Sequence, residues 1–314
     1  MMDQVDFNQL VELAMRESRL AAMRPVVEKE ILHYDIFQAL DSAGLLKDLV
    51  FQGGTSLRLC RGADRFSEDL DFAGGTDFTA ASMHRIKECI EAHLGKRYYL
   101  KISVKEPTGE SGDIENIKVD KWVISVETSP GRPDIPRQRI KLEIANIPAY
   151  TRELVPLVLN YDFLAGMPEV LVVTESISEV LADKVVAFPT SLADMSGAAV
   201  ASGSRKIRHR DIWDLAWLTR KRAVLMPELV IKKVADYRID NYAALLDNAI
   251  VALPSVVHDP AFMGQMQRFI DQDTLAKTLA RSDYLDYLAT TVGGLLSDMR
   301  DYLKQANAGR RTAP

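Results

Sequence analysis

Gly53-Gly54-Thr55-Ser56-Leu57-Arg58, followed by Arg65-Phe66-Ser67-Glu68-Asp69-Leu70-Asp71-Phe72, is the stretch that decides the fold. Ahead of it, Leu49-Val50-Phe51-Gln52 reads as a short apolar strand that runs into the two glycines. Residues 55–61 then read as a helix, and Leu70-Asp71-Phe72-Ala73 as a second strand ended by Gly74-Gly75. A Gly-Gly turn lets backbone approach a phosphate closely, and the N-terminus of the helix behind it favours negative charge. Gly53, Gly54, Thr55 and Ser56 are therefore candidate nucleotide-binding residues. Carboxylates two apart on a strand share a face. Asp69 and Asp71 so placed suit a hard divalent cation, Mg²⁺ or Mn²⁺, which takes oxygen ligands and substrate phosphates. An isolated Asp-x-Asp or Gly-Gly is usually a solvated turn. Their succession between apolar strands is what a site for a nucleoside triphosphate and metal requires.

Working outward, a helix is expected over residues 7–24 and another from Pro25 to Ala43, stopped by Gly44. A helix over 79–94 and strands over 98–104, 118–127 and 139–144 follow the motif. In the last strand Ile140, Leu142 and Ile144 alternate with Arg139, Lys141 and Glu143, which puts Glu143 on the polar face. Two-metal chemistry usually draws a third carboxylate from a neighbouring strand, and Glu143 is the candidate; the alternative is an exposed strand acid. Arg58 is either a phosphate contact or a salt-bridge partner of Asp69 or Glu68. From about residue 175 the pattern becomes helical, with a small, polar stretch over 190–204 that reads as a loop. A tail after about Ala306 is expected to be disordered.

The chain has 314 residues, which suggests two domains at about 100–200 residues each. Its net charge of −5 argues against a protein that coats nucleic acid with its whole surface. Any polyanion must meet a local basic patch, and the densest is Arg205, Lys206, Arg208 and Arg210. That run is either a grip on an RNA backbone or a solvated helix start. The two cysteines, Cys60 and Cys89, form no Cys-x-x-Cys pair and read as reduced thiols. The first residues lack the pattern of a signal peptide, and no apolar run reaches the ~18–20 residues that span a bilayer. The cytoplasm is the expected compartment, with no membrane partner. The histidines show no metal-ligand spacing, and no Gly-x-Ser-x-Gly elbow surrounds Ser67.

The ordered run Gly53-Gly54-Thr55-Ser56-Leu57-Arg58 and Arg65-Phe66-Ser67-Glu68-Asp69-Leu70-Asp71-Phe72 strongly resembles the AbiEii/AbiGii toxin family of nucleotidyltransferases, within the DNA polymerase β-like superfamily. Glu179-Val180-Leu181-Ala182-Asp183-Lys184-Val185-Val186-Ala187 looks like the family's helix with an essential lysine. Arg208-His209-Arg210-Asp211-Ile212-Trp213-Asp214-Leu215 looks like its Arg-Asp-x-x-Asp helix. The similarity spans about residues 25–220. The gap between Gly54 and Asp69 is longer than in many polymerase β-like enzymes, and the closer family accommodates it.

The resemblance implies an α+β fold: a polymerase β-like nucleotidyltransferase core, a mixed sheet with flanking helices, over 1–174. A helical C-terminal domain completing the active site would follow over 175–306, and the tail over 307–314. It makes Ser67, Asp69, Asp71, Lys184 and Asp211 the leading site residues. Lys184 would offer a compact positive charge to the triphosphate; read alone it is a surface lysine on an amphipathic helix. Asp211 and Asp214 share a helix face and are otherwise an ion pair with Arg208 or Arg210. Trp213 and Trp217 read as core. The expected reaction transfers a nucleotide from an NTP to RNA, at the tRNA 3′ end, with release of pyrophosphate. A cognate antitoxin is the expected partner. Transfer to a protein or small molecule is the alternative, and a catalytically idle binding module a third, against which the intact Asp-x-Asp argues.

Overall fold

The alternation that predicts the strands also sets how they stack. In the computed structural model, which describes residues 5–17, 20, 22–108, 117–132, 136–193 and 207–311, the chain divides into two units. The first is Met1–Glu175 with Arg268–Asp271, the second Ser176–Gln267 with Gln272–Pro314.

The first unit opens with α1 (Phe7–Met15), capped by the Asp6 carboxylate, which accepts from the N–H groups of Asn8 and Gln9. This helix is shorter than its expected reach to residue 24, because the polar Arg16-Glu17 step breaks its apolar stripe. Helix α2 (Arg24–Ser42) follows, with a proline in its first turn and Gly44 just beyond its end at φ +71°. Its length is buried almost throughout, charged residues included. After β1 (Val50–Gln52), α3 (Gly53–Arg61) starts at the glycines themselves, two residues before its expected start. Next come β2 (Leu70–Ala73), α4 (Ile86–Tyr98), β3 (Ile102–Lys105), β4 (Val119–Val126) and β5 (Gln138–Ala145). A 3₁₀ turn over Ala80–Met83 replaces the start of the helix expected from residue 79.

Two short strands, β6 (Glu153–Pro156) and β7 (Leu171–Thr174), complete a seven-stranded sheet in the order β3-β4-β5-β2-β1-β7-β6. The β2–β5 and β1–β7 pairs are parallel and the others antiparallel. Leu70, Phe72, Ile140, Leu142 and Ile144 are all buried on one face. There Phe37 of α2 packs edge-on to Phe51 at 4.9 Å, and Phe51 meets Phe72 at 5.1 Å. The acidic residues between them are left on the opposite, polar face.

The second unit is helical: α5 (Ile177–Ala193), α6 (His209–Arg220), α7 (Pro227–Asp236), α8 (Tyr242–His258), α9 (Pro260–Met266), α10 (Gln272–Lys277) and α11 (Ser282–Arg311). Helix α5 carries through residues 190–193, where the small side chains suggested a loop. Burial of Phe188 and Ser191 keeps it packed past Pro189. Helix α11 continues through residues 307–311, which the composition assigned to a tail. Trp213 and Trp217 are core, as expected. The α+β organisation expected from the sequence is the one observed. Among the described residues no helix is long and apolar enough to cross a membrane.

Candidate active site

Register builds the site of the first unit. Gln52 on β1 pairs with Asp71 on β2, Asp71 with Glu143 on β5, and Glu143 with Lys121 on β4. One polar row thus crosses four strands, with Asp71 and Glu143 side by side. Asp69 lies two residues ahead of Asp71, at the entry to β2. Its Oδ1 accepts from the Lys141 N–H at 3.2 Å, and its Oδ2 stands 3.4 Å from Lys141 Nζ. Lys121 Nζ lies 2.8 Å from Glu143 Oε1. The donor set of Asp69, Asp71 and Glu143 is all carboxylate oxygen, which suits a hard divalent cation. Asp69 and Glu143 hold lysine ammonium groups as their cations here. Among the described residues no three acidic, histidine or cysteine side chains already converge as metal ligands.

The turn before α3 is shaped around charged side chains. Gly53 has φ +77°, and a Cβ on it would stand 2.9 Å from Asp71 Oδ2. Glycine here admits both the left-handed backbone and the close approach of the carboxylate. A Cβ on Gly54 would fall 2.1 Å from Nη2 of Arg65, a residue only 2 % exposed. A guanidinium is thus buried beneath the glycine turn, with its Nη1 donating to Phe66 O at 2.9 Å. Arg65 lies within the motif, but nothing in the local pattern assigns it a role. Its signal was an arginine four residues ahead of the first carboxylate, but only depth of burial shows its use.

The loop from Arg65 to Asp69 is held on several sides. Lys29 Nζ pairs with Glu68 Oε1 at 2.6 Å. His33 Nε2 lies 3.0 Å from Glu68 O. A carbonyl only accepts, so Nε2 carries the proton and Nδ1 is bare, without a hydrogen-bond partner. Burial pushes the His33 pKa down to about 4, so the ring is neutral. Phe66 N–H donates to Phe269 O at 2.7 Å, and the Thr55 hydroxyl donates to Asp69 O. Ser56 Oγ donates to Gly53 O at 2.8 Å. The hydroxyls of Thr55 and Ser56 fasten the turn to neighbouring backbone. Ser67 is buried in the same loop.

Arg58 is held by Glu30 of α2. Its Nε and Nη2 donate to Glu30 at 2.8 and 3.0 Å, and its guanidinium stacks on Phe66 at 4.3 Å. Neither Asp69 nor Glu68 is its partner. Burial opposes the charge, but the Glu30 carboxylate more than offsets it and raises the Arg58 pKa. Burial also pushes the Cys60 thiol up to about 12 and Cys89 to about 11, so both stay protonated.

In the second unit Lys184 is no surface lysine. It is buried between two carboxylates, with Nζ 2.7 Å from Asp211 Oδ1 and 2.7 Å from Asp214 Oδ2. Asp211 also lies 3.7 Å from Arg208, one of the ion pairs weighed from sequence. A second cluster sits on the same helix: fully buried Lys233 meets Glu179 at 2.7 Å and Asp183 at 3.0 Å. Lys233 is not legible in the sequence, because it lies far along the chain in an ordinary amphipathic helix. Of the basic run, Arg208 is exposed and precedes α6, and Arg210 lies in its first turn. Arg205 and Lys206 lie outside the described residues.

The family model described as "Nucleotidyl transferase AbiEii toxin, Type IV TA system" matches residues 35–290. No curated protein sequence matches this chain. Among solved structures, the nucleotidyltransferase toxin MenT4 of Mycobacterium tuberculosis is 20% identical, with TM-score 0.48, over 72% of this chain and 68% of its own. JHP933 of Helicobacter pylori is 17% identical, with TM-score 0.41, over 91% and 96%. A putative nucleotidyltransferase of H. pylori is 18% identical, with TM-score 0.46, over 90% and 97%.

Proposed function

Because this chain belongs to the AbiEii family of nucleotidyl transferase toxins of type IV toxin–antitoxin systems, we propose that it transfers a nucleotide from an NTP to the 3′ end of tRNA. The observation that carries this reading is the row in which Asp71 and Glu143 stand side by side, with Asp69 two residues ahead and the Gly53-Gly54 turn alongside. Asp69, Asp71 and Glu143 would hold Mg²⁺ or Mn²⁺, which when bound supplies charge neutralisation at the transferring phosphoryl group. The Gly53 and Gly54 backbone approaches the triphosphate at the N-terminus of α3. Arg65 beneath the turn adds a fixed positive charge. Ser67 shares the loop that presents Asp69, and Lys184 and Asp211 serve the same reaction.

In the reaction an acceptor hydroxyl oxygen forms a bond to the α-phosphorus. The bond from that phosphorus to the α–β bridging oxygen breaks, and pyrophosphate leaves. The hydroxyl proton passes to a carboxylate of the row or to water. Arg208 and Arg210, with Arg205 and Lys206 before them, supply the cationic run that an RNA backbone would meet. A cognate antitoxin is the partner that the family implies, and the NTP pool and tRNA place the action in the cytoplasm.

The test supplies each α-labelled NTP with Mg²⁺ and, separately, total tRNA, a protein extract or a small-molecule pool. Label is expected on tRNA, and chelation removes it. Asp71→Asn should keep its melting temperature and lose about 4 kcal/mol of transition-state stabilisation, roughly a thousandfold in rate. Label on protein or a small molecule instead would replace the acceptor. Full transfer by Asp71→Asn would remove the carboxylate assignment.

A further inference from the structure

Beyond the carboxylate row, the polar face of the sheet changes sign. Lys105 on β3 pairs with Val123 on β4, and Val123 with Lys141 on β5; Ser103, Ser125 and Arg139 pair in the same way one row on. Paired residues share a face, so Lys105, Arg139 and Lys141 stand on the face that bears Lys121 and Glu143. All four basic side chains are exposed, Lys121 to 44 % and Lys141 to 49 %. Glu143 is the one acid that β3, β4 and β5 place there. In a chain of net charge −5, four cations beside one carboxylate form a local field of the opposite sign.

We propose that the β3–β4–β5 face carries the backbone of an RNA acceptor, which reaches the carboxylate row from the β5 side. The inference rests on the nucleotidyl-transfer reading above and adds the direction of approach. Attacking and leaving oxygens stand roughly in line across the α-phosphorus. Pyrophosphate leaves on the side of the Gly53-Gly54 turn, which follows β1. In the sheet order β3-β4-β5-β2-β1, the attacking hydroxyl then arrives from β5 and β4, where the basic side chains are. Arg139 and Lys141 are about 7 Å apart along β5, and Lys105 lies about 10 Å across the sheet from Lys141. Cations so spread match successive phosphates of one strand better than a single compact anion. Lys121 and Lys141 hold Glu143 and Asp69 here, and their flexible stems let them exchange a carboxylate for a phosphate when a divalent cation competes for those oxygens. A protein acceptor has no repeating charge for this array to meet. The face belongs to the first unit, whereas Arg208 and Arg210 belong to the second.

The experiment measures binding of labelled total tRNA to the full chain with Mg²⁺ and no NTP, over a series of salt concentrations. The double variant Lys105→Gln, Arg139→Gln should melt as the wild type does and bind tRNA about tenfold more weakly. Its plot of log affinity against log salt should be shallower by about 1–2. In the transfer assay its KM for tRNA should rise while its KM for NTP stays. Lys87→Gln, Lys96→Gln removes the same charge from exposed positions on α4 and should leave binding nearly as it was. An unchanged salt slope in the first variant, or an equal loss in the second, overturns the proposed face even where the wild type labels tRNA. A rise in KM for NTP instead would assign the cations to the triphosphate and also overturn it. Label on protein with none on tRNA would remove the transfer reading itself, and the face with it.

Discussion

Single side chains decide whether the motif loop keeps its shape, and Gly54 is the most exacting of them. A methyl group there would stand 2.1 Å from Arg65 Nη2. Gly54→Ala should therefore cost about 1–3 kcal/mol, read as a lower urea midpoint at unchanged slope, and slow transfer by displacing the turn. Unchanged stability would mean that Arg65 moves aside freely. Lys184 is a harsher case. Lys184→Met removes the buried ammonium that Asp211 and Asp214 share, which should cost about 3–5 kcal/mol. Adding Asp211→Asn and Asp214→Asn should recover most of that loss, and a triple variant that stays unstable would contradict it. This scale is also where sequence was least informative. Asp69 and Asp71 are legible because both lie within one short strand and its entry. The ion-pair partner of Arg58 is not legible, because Glu30 lies 28 positions away on another helix, where no local pattern points.

At the scale of elements, α2 is the support of the active-site loop, through Lys29, Glu30 and His33. His33 makes that support sensitive to acid. Its folded pKa of about 4 lies below the ordinary 6.5, so between those values the unfolded chain binds the extra proton. The stability it lends is complete above about pH 6.5 and is lost as pH falls through about 4. The loss is up to about 3 kcal/mol, and chemical denaturation across that range should show it. His33→Gln should flatten the slope; an unaltered slope would place the acid sensitivity in other groups. Elements were legible where a pattern of period two ran long enough. Within Gln138–Ala145 the residues from Arg139 to Ile144 alternate cleanly, and Leu70–Ala73 is pinned by glycines on its far side. The strands Glu153–Pro156 and Leu171–Thr174 have four residues each, too few for a period to stand out. The first is mostly exposed and ends in proline, so pairing with its neighbour, not composition, makes it a strand.

For the molecule as a whole, membership of a toxin family sets a cellular expectation. Expression without a partner should slow bacterial growth, and Asp69→Asn should relieve the effect. Culture density after induction reads both; inhibition that persists in Asp69→Asn would exclude a catalytic cause. A net charge of −5 spread over the chain makes a diffuse polyanion-coating mode of toxicity unfavourable. The discontinuity of the first unit has a consequence for when such an enzyme becomes active during its own synthesis. β2 gains its parallel neighbour only when Glu143 has been made, and β1 only when Thr174 has. Phe66 waits longer still, for Phe269. At about 5–20 residues per second, roughly 10–40 s separate the emergence of Asp71 from that of Asp271. A ribosome-bound chain in that interval lacks the Phe66–Phe269 hydrogen bond of the loop that presents its carboxylates. Chains that stop short of Phe269 are therefore expected to transfer nucleotide more slowly than the full chain, which comparison of the two in the same labelling assay would check.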